Sequence, residues 1–237
     1  MFLSDLQKTV TKTLFDSGIE TSSLDSRIIL KEIFCFNEKQ LILNSQLIVS
    51  AKKINEVDKI LARRISGEPV SKIFGKRDFY KSTFLISEDV LDPRPETELI
   101  IEIANNFILD KGYKNFIDLG TGSGCIILSI LKDNKSLRAI GIDISNKAIN
   151  IAQKNCSNLN LEKQATFLVS NWLSKVSGSY DLIISNPPYI PSKDVDTLSA
   201  NVKNYDPLIS LDGGEDGLKC YRQIAENINR VISKNGR

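Results

Sequence analysis

The 237-residue sequence contains no histidine, and its four cysteines lie far apart along the chain. Without histidine, an imidazole general base and a Ser-His-Asp triad are excluded. Cys35, Cys125, Cys156 and Cys220 form no Cys-x-x-Cys pair, so the ligand spacing of a structural zinc site is missing. We therefore expect no zinc site, and we expect reduced thiols in a cytoplasmic protein.

Long apolar runs and a strong excess of one charge are also missing. No run reaches the ~18 apolar residues that a membrane-spanning helix needs, and no charged leader precedes a long apolar segment. The net charge is +2, which argues against tight nonspecific binding to nucleic acid. The pairs Lys52-Lys53 and Arg63-Arg64 are interpreted as solvated helix faces. We thus expect neither a membrane nor a direct nucleic-acid partner.

Apolar spacing divides the chain into three segments. Residues 1–72 show amphipathic spacing, which predicts a small helical bundle with one helix capped by Ser50. Residues 73–90 are rich in aromatic and β-branched residues around a polar turn near Lys81-Ser82, which predicts a β-hairpin linker. Residues 91–237 alternate strands and helices, as in a doubly wound α/β sheet, with strands near residues 115, 139, 166 and 182. A last helix from about Gly217 is expected to place five residues on one face: Leu218, Tyr221, Ala225, Ile228 and Ile232.

The sequence Asn186-Pro187-Pro188-Tyr189 directly follows an apolar strand at 180–185. Two successive prolines fix φ twice and remove two backbone donors, so this loop cannot continue a normal ladder. It offers one amide side chain, prolyl carbonyls that only accept hydrogen bonds, and an aromatic ring. These groups suit a planar NH₂ substrate, which needs two acceptors and a surface to stack on. The alternative is a proline-rich turn, although open α/β sheets bind ligands at this end of their strands.

A glycine-rich turn, Gly120-Thr121-Gly122-Ser123-Gly124, follows the short apolar strand that contains Asp118. The apolar run at 125–131 predicts a helix with Ser123 near its N-cap. Glycines permit positive φ and let backbone N–H groups approach a ligand closely. The spacing does not fit the G-x-G-x-x-G fingerprint of dinucleotide-binding proteins. Asp118 before a G-x-G-x-G loop instead suits a compact ligand whose ammonium group the carboxylate holds.

Three more side chains stand at the ends of predicted strands. Asp143 comes nineteen positions after Gly124, close to the ~20-residue spacing at which an acidic residue meets ribose hydroxyls. The alternative is that Asp143 caps the helix that starts near Ser145. Asn171 and Trp172 follow the strand at 165–169, where an amide and an indole suit contact with an adenine ring. The alternative is that the only tryptophan fills the core.

With these motifs the chain resembles the N(5)-glutamine methyltransferases of peptide chain release factors, the HemK/PrmC family. The resemblance covers nearly the whole sequence. Its most specific part is the run Arg94-Pro95-Glu96-Thr97-Glu98, because the glycine loop and Asn-Pro-Pro-Tyr occur in other aminomethyltransferases too. The segments 67–70, 205–207 and 211–218 also look like the family. Two positions depart from it: Asn171 stands where an aspartate is usual, and Asp206 where a glutamate is usual.

The resemblance implies a class I S-adenosylmethionine-dependent methyltransferase, with a Rossmann-like doubly wound sheet and a small N-terminal helical domain that binds the substrate. The implied cofactor is S-adenosyl-L-methionine. The residues that would bind it are Asp118, Gly120, Thr121, Gly122, Gly124, Asp143, Asn171, Trp172 and Asn186. The implied reaction methylates the side-chain amide nitrogen of the glutamine in the Gly-Gly-Gln motif of release factors, which are the expected protein partners.

By the same resemblance, the residues of the Asn-Pro-Pro-Tyr loop carry catalysis and bind the substrate. The Asn186 side-chain oxygen and the Pro187 carbonyl accept the two amide protons, Pro188 completes the loop, and Tyr189 packs beside the amide. Arg94 and Glu96 look like the family's lining between the helical domain and the active site. A structural ion pair is the alternative for these two residues.

Two other functions stay open for the sequence. A nucleic-acid base aminomethyltransferase would use the same loop, because adenine and guanine also carry an exocyclic NH₂. A catalytically inactive binding fragment would keep the pocket but lack a complete sheet. A methyltransferase sheet normally has more than the four strands counted here, and the strand at 181–185 would have a bare apolar edge. We therefore expect a truncated chain, or a piece of a longer parent polypeptide that carries the missing strands.

Overall fold

A computed structural model describes residues 1–237, and the chain forms two compact units, Met1–Phe74 and Gly75–Arg237. Each unit has an apolar core of its own. None of the helices combines the length and the apolar character needed to cross a membrane. The division into domains 1–72, 73–90 and 91–237 stays a prediction.

The first unit consists of five helices. They are α1 (Leu3–Asp16), α2 (Ser22–Phe34), α3 (Glu38–Leu43), α4 (Ala51–Ile65) and α5 (Val70–Phe74). Leu3, Leu6, Val10 and Leu14 of α1 are buried as their spacing predicts. The Ser50 side chain caps α4 by accepting a hydrogen bond from the Lys53 backbone N–H. Helices α3 and α5 were not predicted, because six and five residues are too few to show a helical period.

The interpretation of the basic pairs as solvated was wrong for Arg64 and Lys53. Arg64 Nε donates to Asp25 Oδ2 at 2.7 Å, and the two side chains are only 13% and 9% exposed. Lys53 Nζ donates to the Ile33 carbonyl at 2.6 Å. Both partners belong to α2, against which α4 packs. Because they lie 39 and 20 positions away in the sequence, the local pattern did not reveal them.

The second unit begins with a hairpin of β1 (Lys76–Phe79) and β2 (Ser82–Leu85), which pair antiparallel. Its turn is Tyr80-Lys81, one residue before the predicted position, and Tyr80 takes a left-handed backbone with φ 52°. After a short 3₁₀ turn at Pro95–Thr97, α6 runs from Glu98 to Lys111. The predicted hairpin is therefore present, within residues 76–85.

A four-stranded parallel sheet forms the centre of this unit. Its strands are β3 (Asn115–Leu119), β4 (Arg138–Asp143), β5 (Ala165–Val169) and β6 (Leu182–Ser185), in the order β5-β4-β3-β6. These are the four strands that the sequence predicts. Helix α7 (Cys125–Asp133) connects β3 to β4, and α8 (Asn146–Asn158) connects β4 to β5. The chain crosses from β5 to the far side of β3, which makes the carboxyl ends of these strands a topological switch point, where such sheets bind ligands.

The helix near the C-terminus buries a different face from the one predicted. Helix α10 spans Lys219–Ile228 and follows the short α9 (Ala200–Lys203). Its buried residues are Cys220 and Ile224, whereas Leu218 and Tyr221 are exposed. The predicted face was wrong because Tyr221 and Ala225, inside the helix, are exposed, whereas the buried Cys220 and Ile224 were left out of it.

The outer edge of β6 is covered at its start, so the expectation of a bare edge was wrong for that part of the strand. Residues 231–237 run beside the start of the strand. The Tyr180 N–H donates to the Val231 carbonyl at 2.8 Å, and the Ile183 N–H donates to the Arg237 carbonyl at 2.8 Å. These bonds satisfy backbone groups that would otherwise be exposed along the edge.

Candidate active site

A cleft of about 300 Å³ lies at the carboxyl ends of the parallel strands. The loops after β3 and β4 contribute the predicted residues Gly120, Gly122 and Asp143. The loops after β5 and β6 contribute Asn171, Trp172, Asn186 and Pro188. The cleft is at the lower end of the ~300–1,000 Å³ typical of small-molecule sites. One site thus brings together residues from four separate loops.

The glycine loop is held in a conformation that only glycine adopts easily. Gly122 and Gly124 have φ values of 55° and 78°, in the left-handed region. Gly124 is the N-cap of α7, one residue beyond the predicted Ser123. A β-carbon at Gly124 would lie 3.2 Å from the Ala152 Cβ. Gly124 lies outside the cleft, so it serves the packing of α7 against α8, while Gly122 faces the ligand space.

Asp143 connects the glycine loop to the start of α8. Its Oδ2 accepts a hydrogen bond from the Gly122 N–H at 2.9 Å, and its Oδ1 accepts one from the Ser145 N–H at 2.9 Å. Ser145 in turn caps α8 through its side chain. Burial raises the pKa of Asp143 above its ordinary value. Each carboxylate oxygen can accept a further bond, so Asp143 both orders the loop and offers acceptors to hydroxyl groups in the cleft.

Asp118 lies beneath the glycine loop and is fully buried. Its Oδ2 accepts a hydrogen bond from the Thr121 hydroxyl at 2.7 Å, but its Oδ1 has no hydrogen-bond partner. Burial raises the pKa of Asp118 to about 7. An unpaired buried oxygen is costly, and a ligand ammonium group would satisfy it. Asp118 and Thr121 do not themselves line the cleft.

Trp172 lies over the glycine loop in a strained backbone conformation. Its φ is 45°, which is an outlier for a bulky residue. A β-carbon at Gly120 would lie 3.6 Å from the indole Cζ3, and the indole Nε1–H donates to Gln223 Oε1 at 2.9 Å. The indole also packs on a buried apolar cluster that includes Ile117. The tryptophan therefore fills part of the core and lines the cleft.

The Asn-Pro-Pro-Tyr loop places its residues in different surroundings. Asn186 and Pro188 line the cleft, whereas Pro187 is buried and Tyr189 is 60% exposed outside it. The Asn186 Nδ2 donates to the hydroxyl of the buried Thr97 at 3.5 Å. The side-chain oxygen of Asn186 makes no hydrogen bond within the chain and is available to a substrate.

The segment at 211–218 supports the end of this loop. The Ile190 N–H donates to the Leu211 carbonyl at 3.1 Å, and the Gly213 N–H donates to the Ile190 carbonyl at 2.8 Å. A β-carbon at Gly213 would lie 2.8 Å from the Tyr189 Cα, and one at Gly217 would overlap the Tyr189 carbonyl oxygen. Gly213 and Gly217 are therefore required for the close approach of the two backbones.

Arg94 forms a structural ion pair, which was the alternative to a place in the lining of the active site. Its guanidinium donates to Asp206 Oδ2 at 2.6 Å, and Asp206 Oδ1 accepts a hydrogen bond from the Asp92 N–H at 3.0 Å. Asp206 thereby joins the segment at 92–94 to Pro207, which lines the cleft. Glu96 is exposed. Neither Arg94 nor Glu96 lines the cleft, and a position between the helical domain and the site stays a prediction.

Sequence reasoning missed the side of the cleft formed by residues 207–223. The lining residues there include Pro207, Ile209, Ser210, Lys219, Cys220 and Gln223. The segments 205–207 and 211–218 carried a signal through their resemblance to the family, although no role was assigned to them. Gln223 belongs to no motif and was not on the predicted face of its helix, so nothing in the sequence pointed to it.

Comparisons with known proteins agree with this geometry. A family model described as "Methyltransferase small domain" matches residues 81–202, and one described as "PrmC N-terminal domain" matches residues 5–75. The solved structure of the hMettl16 catalytic domain, in complex with MAT2A 3'UTR hairpin 6, has a TM-score of 0.52. It is 17% identical and the match covers 72% of this chain and 63% of that one, so it supports the fold alone. The predicted fold class, a methyltransferase sheet with a helical N-terminal domain, is confirmed.

Curated relatives match almost the whole chain. A release factor glutamine methyltransferase of Rhodospirillum rubrum is 38% identical, over 93% of this chain and 67% of that protein. A release factor glutamine methyltransferase of Caulobacter vibrioides is 37% identical, over 94% of this chain and 78% of that protein. A bifunctional methyltransferase of Rickettsia felis is 31% identical, over 93% of this chain and 47% of that protein. The chain therefore belongs to the family of release factor glutamine methyltransferases.

Proposed function

We propose that this chain transfers a methyl group from S-adenosyl-L-methionine to the side-chain amide nitrogen of the glutamine in the Gly-Gly-Gln motif of peptide chain release factors. The observation that carries the proposal is the position of Asn186. Its side-chain oxygen makes no hydrogen bond within the chain and lies at the edge of the cleft, at the carboxyl end of β6. The relatives named release factor glutamine methyltransferases supply the class of acceptor.

Residues in the cleft, together with Asp118 beneath its glycine loop, match the three parts of this cofactor. Asp118 has an unpaired buried oxygen for the ammonium group, and Asp143 has acceptor capacity for ribose hydroxyls. Trp172 offers an indole surface for adenine, with Asn171 beside it. When bound, the cofactor supplies a methyl group on a sulfonium, which is a strong electrophile. Gly120 and Gly122 let the backbone approach it closely.

The chain's own contribution to the reaction is to hold a weak nucleophile. An amide nitrogen is weakly nucleophilic because its lone pair is delocalised into the carbonyl. The Asn186 oxygen and the Pro187 carbonyl accept its two protons and so fix the direction in which the nitrogen faces. Orientation of this kind contributes up to ~7–11 kcal/mol to lowering a barrier. One proton leaves the nitrogen after transfer, so that the product is a neutral N-methyl amide.

Tyr189 and the N-terminal unit are assigned to recognition of the acceptor. The Tyr189 ring is exposed directly after the catalytic loop, where it can pack against the glutamine or its neighbours. Residues 1–72 are proposed to bind the release factor. A cytoplasmic location and the lack of a nucleic-acid partner belong to the same proposal, because release factors act on the ribosome and the net charge is only +2.

The two other functions are less favoured. A base aminomethyltransferase would share the loop, but the curated relatives are named for a protein acceptor. An inactive binding fragment would not require the Asn186 oxygen to be free of hydrogen bonds and to lie beside the cleft. The test is to offer the purified chain a labelled methyl donor with either a release factor or mixed tRNA and DNA. We expect label in the protein acceptor; label in the nucleic acid instead would overturn the proposal.

A further inference from the structure

Trp172 is anchored by Gln223, a residue outside every motif in the sequence. The indole Nε1–H donates to Gln223 Oε1 at 2.9 Å, although the two residues are 51 positions apart. Both side chains line the cleft. Helix α10 therefore contributes a polar group to the same part of the cleft as the loop after β5.

The anchor matters because the Trp172 backbone is strained. A φ of 45° is unfavourable for a residue with a large side chain, and such strain persists only where the surroundings hold it, often at ligand sites. The backbone near Trp172 is restrained by Arg230, which donates to the Leu173 carbonyl at 2.5 Å. Gln223 is the residue whose hydrogen bond restrains the indole ring itself.

The same hydrogen bond fixes which way the Gln223 amide faces. Because the oxygen accepts from the indole, the amide nitrogen is directed away from that bond. This nitrogen carries two N–H donors, and neither has an acceptor within the chain. The side chain is half-buried against the cleft, so a ligand that fills the cleft and displaces water must supply an acceptor if this nitrogen is to stay paired. The cleft thus presents an aromatic surface and, next to it, an amide donor that lacks a partner.

We infer that Gln223 is a further nucleoside-binding residue: its oxygen holds the Trp172 ring, and its amide nitrogen donates to a ring nitrogen of the adenine. Adenine provides what the pair requires, since its flat ring packs on an indole and its ring nitrogens accept hydrogen bonds. The inference rests on the proposed function, because it takes the ligand to be the adenosine part of the methyl donor.

Trp172 is the only tryptophan of the chain, so its fluorescence reports on this site directly. The probe is S-adenosylhomocysteine, titrated into the purified full chain, with the dissociation constant measured from tryptophan emission and by calorimetry. Gln223→Glu keeps an oxygen for the indole but removes the N–H donors. Gln223→Leu removes both. Gln153→Leu, at an exposed position of α8 outside the cleft, is the matched control.

We expect Gln223→Glu to bind the probe about tenfold more weakly, which corresponds to the loss of one hydrogen bond at a partly buried site. Its unliganded emission should match that of the wild type, because the indole bond is kept. Gln223→Leu should bind at least as weakly and also shift the emission, while Gln153→Leu binds normally. Wild-type affinity in Gln223→Glu would overturn the inference and leave the proposed function intact. Absence of binding by the wild-type chain would overturn both.

Discussion

The amide nitrogen of Asn186 donates to the hydroxyl oxygen of Thr97 across 89 positions of the sequence, at 3.5 Å. Thr97 belongs to the run at 94–98 that most specifically resembles the family. The structure thus gives that run a link to the catalytic loop: the threonine, and not Arg94 or Glu96, contacts the residue that would hold the substrate amide. Because the nitrogen of Asn186 faces Thr97, the oxygen is left for the substrate.

Removing the Thr97 hydroxyl should lower turnover more than it changes acceptor affinity. Thr97→Val keeps the shape but leaves Asn186 free to rotate its amide, so we expect kcat to fall about tenfold, the cost of about one hydrogen bond. Thr97→Ser keeps the hydroxyl and should restore most of the rate. Steady-state methylation kinetics measure the split between kcat and KM. Equal rates for the Val and Ser variants would contradict the role given to Thr97.

A methyl group at Gly217 should displace the catalytic loop. The β-carbon of Gly217→Ala would overlap the Tyr189 carbonyl oxygen, whereas Gly112→Ala has a similar positive φ and meets no atom within 4 Å. Both variants should lose about 1 kcal/mol from the unfavourable backbone, and Gly217→Ala should lose more because of the overlap. Only Gly217→Ala should also lose most of its activity. Thermal unfolding and methylation assays measure the two effects, and full activity in Gly217→Ala would refute the support role of segment 211–218.

The buried Asp118 should make stability fall as the pH rises. Burial raises its pKa to about 7 in the folded chain, while an unfolded aspartate titrates near ~3.9. Between these values the folded state binds more protons than the unfolded state, so the free energy of unfolding decreases with increasing pH. The loss begins near the unfolded pKa of ~4, is nearly complete about one pH unit above the folded pKa, at ~8, and amounts to roughly 4 kcal/mol.

Asp118→Asn isolates this effect because asparagine does not titrate. The altered hydrogen bonds of the variant change its free energy of unfolding by the same amount at every pH. The comparison therefore uses the slope of the free energy of unfolding against pH, and not its absolute value. Urea unfolding at several values between pH 4 and pH 8, without ligand, should show stability decreasing more steeply for the wild type than for Asp118→Asn. Parallel pH profiles would mean that Asp118 is ionised over the whole range.

The sequence was sufficient for the elements whose signal is local. The strands β3 to β6 are short apolar runs followed by polar or glycine residues, and all four were predicted from that pattern. Asp143 was predicted from its spacing to the glycine loop, and Asn186 from its place after a strand, at the end where open α/β sheets bind ligands.

What the sequence did not reveal depends on contacts between distant residues. The ion pair of Arg64 with Asp25 and the hydrogen bond of Trp172 with Gln223 each join side chains on separate elements. The prediction of the buried face of α10 was wrong because Leu218 and Tyr221 are apolar yet exposed. Apolar residues are common on protein surfaces. Only packing determines which apolar stripe of a short helix faces the core.

The central claim is tested most directly by transfer of a labelled methyl group from S-adenosyl-L-methionine to a purified release factor. The matched acceptor has the glutamine of its Gly-Gly-Gln motif changed to alanine. The account predicts label on the first acceptor, none on the second, and a loss of about a hundredfold or more with Asn186→Ala. Equal labelling of both acceptors, or label on neither, would contradict it.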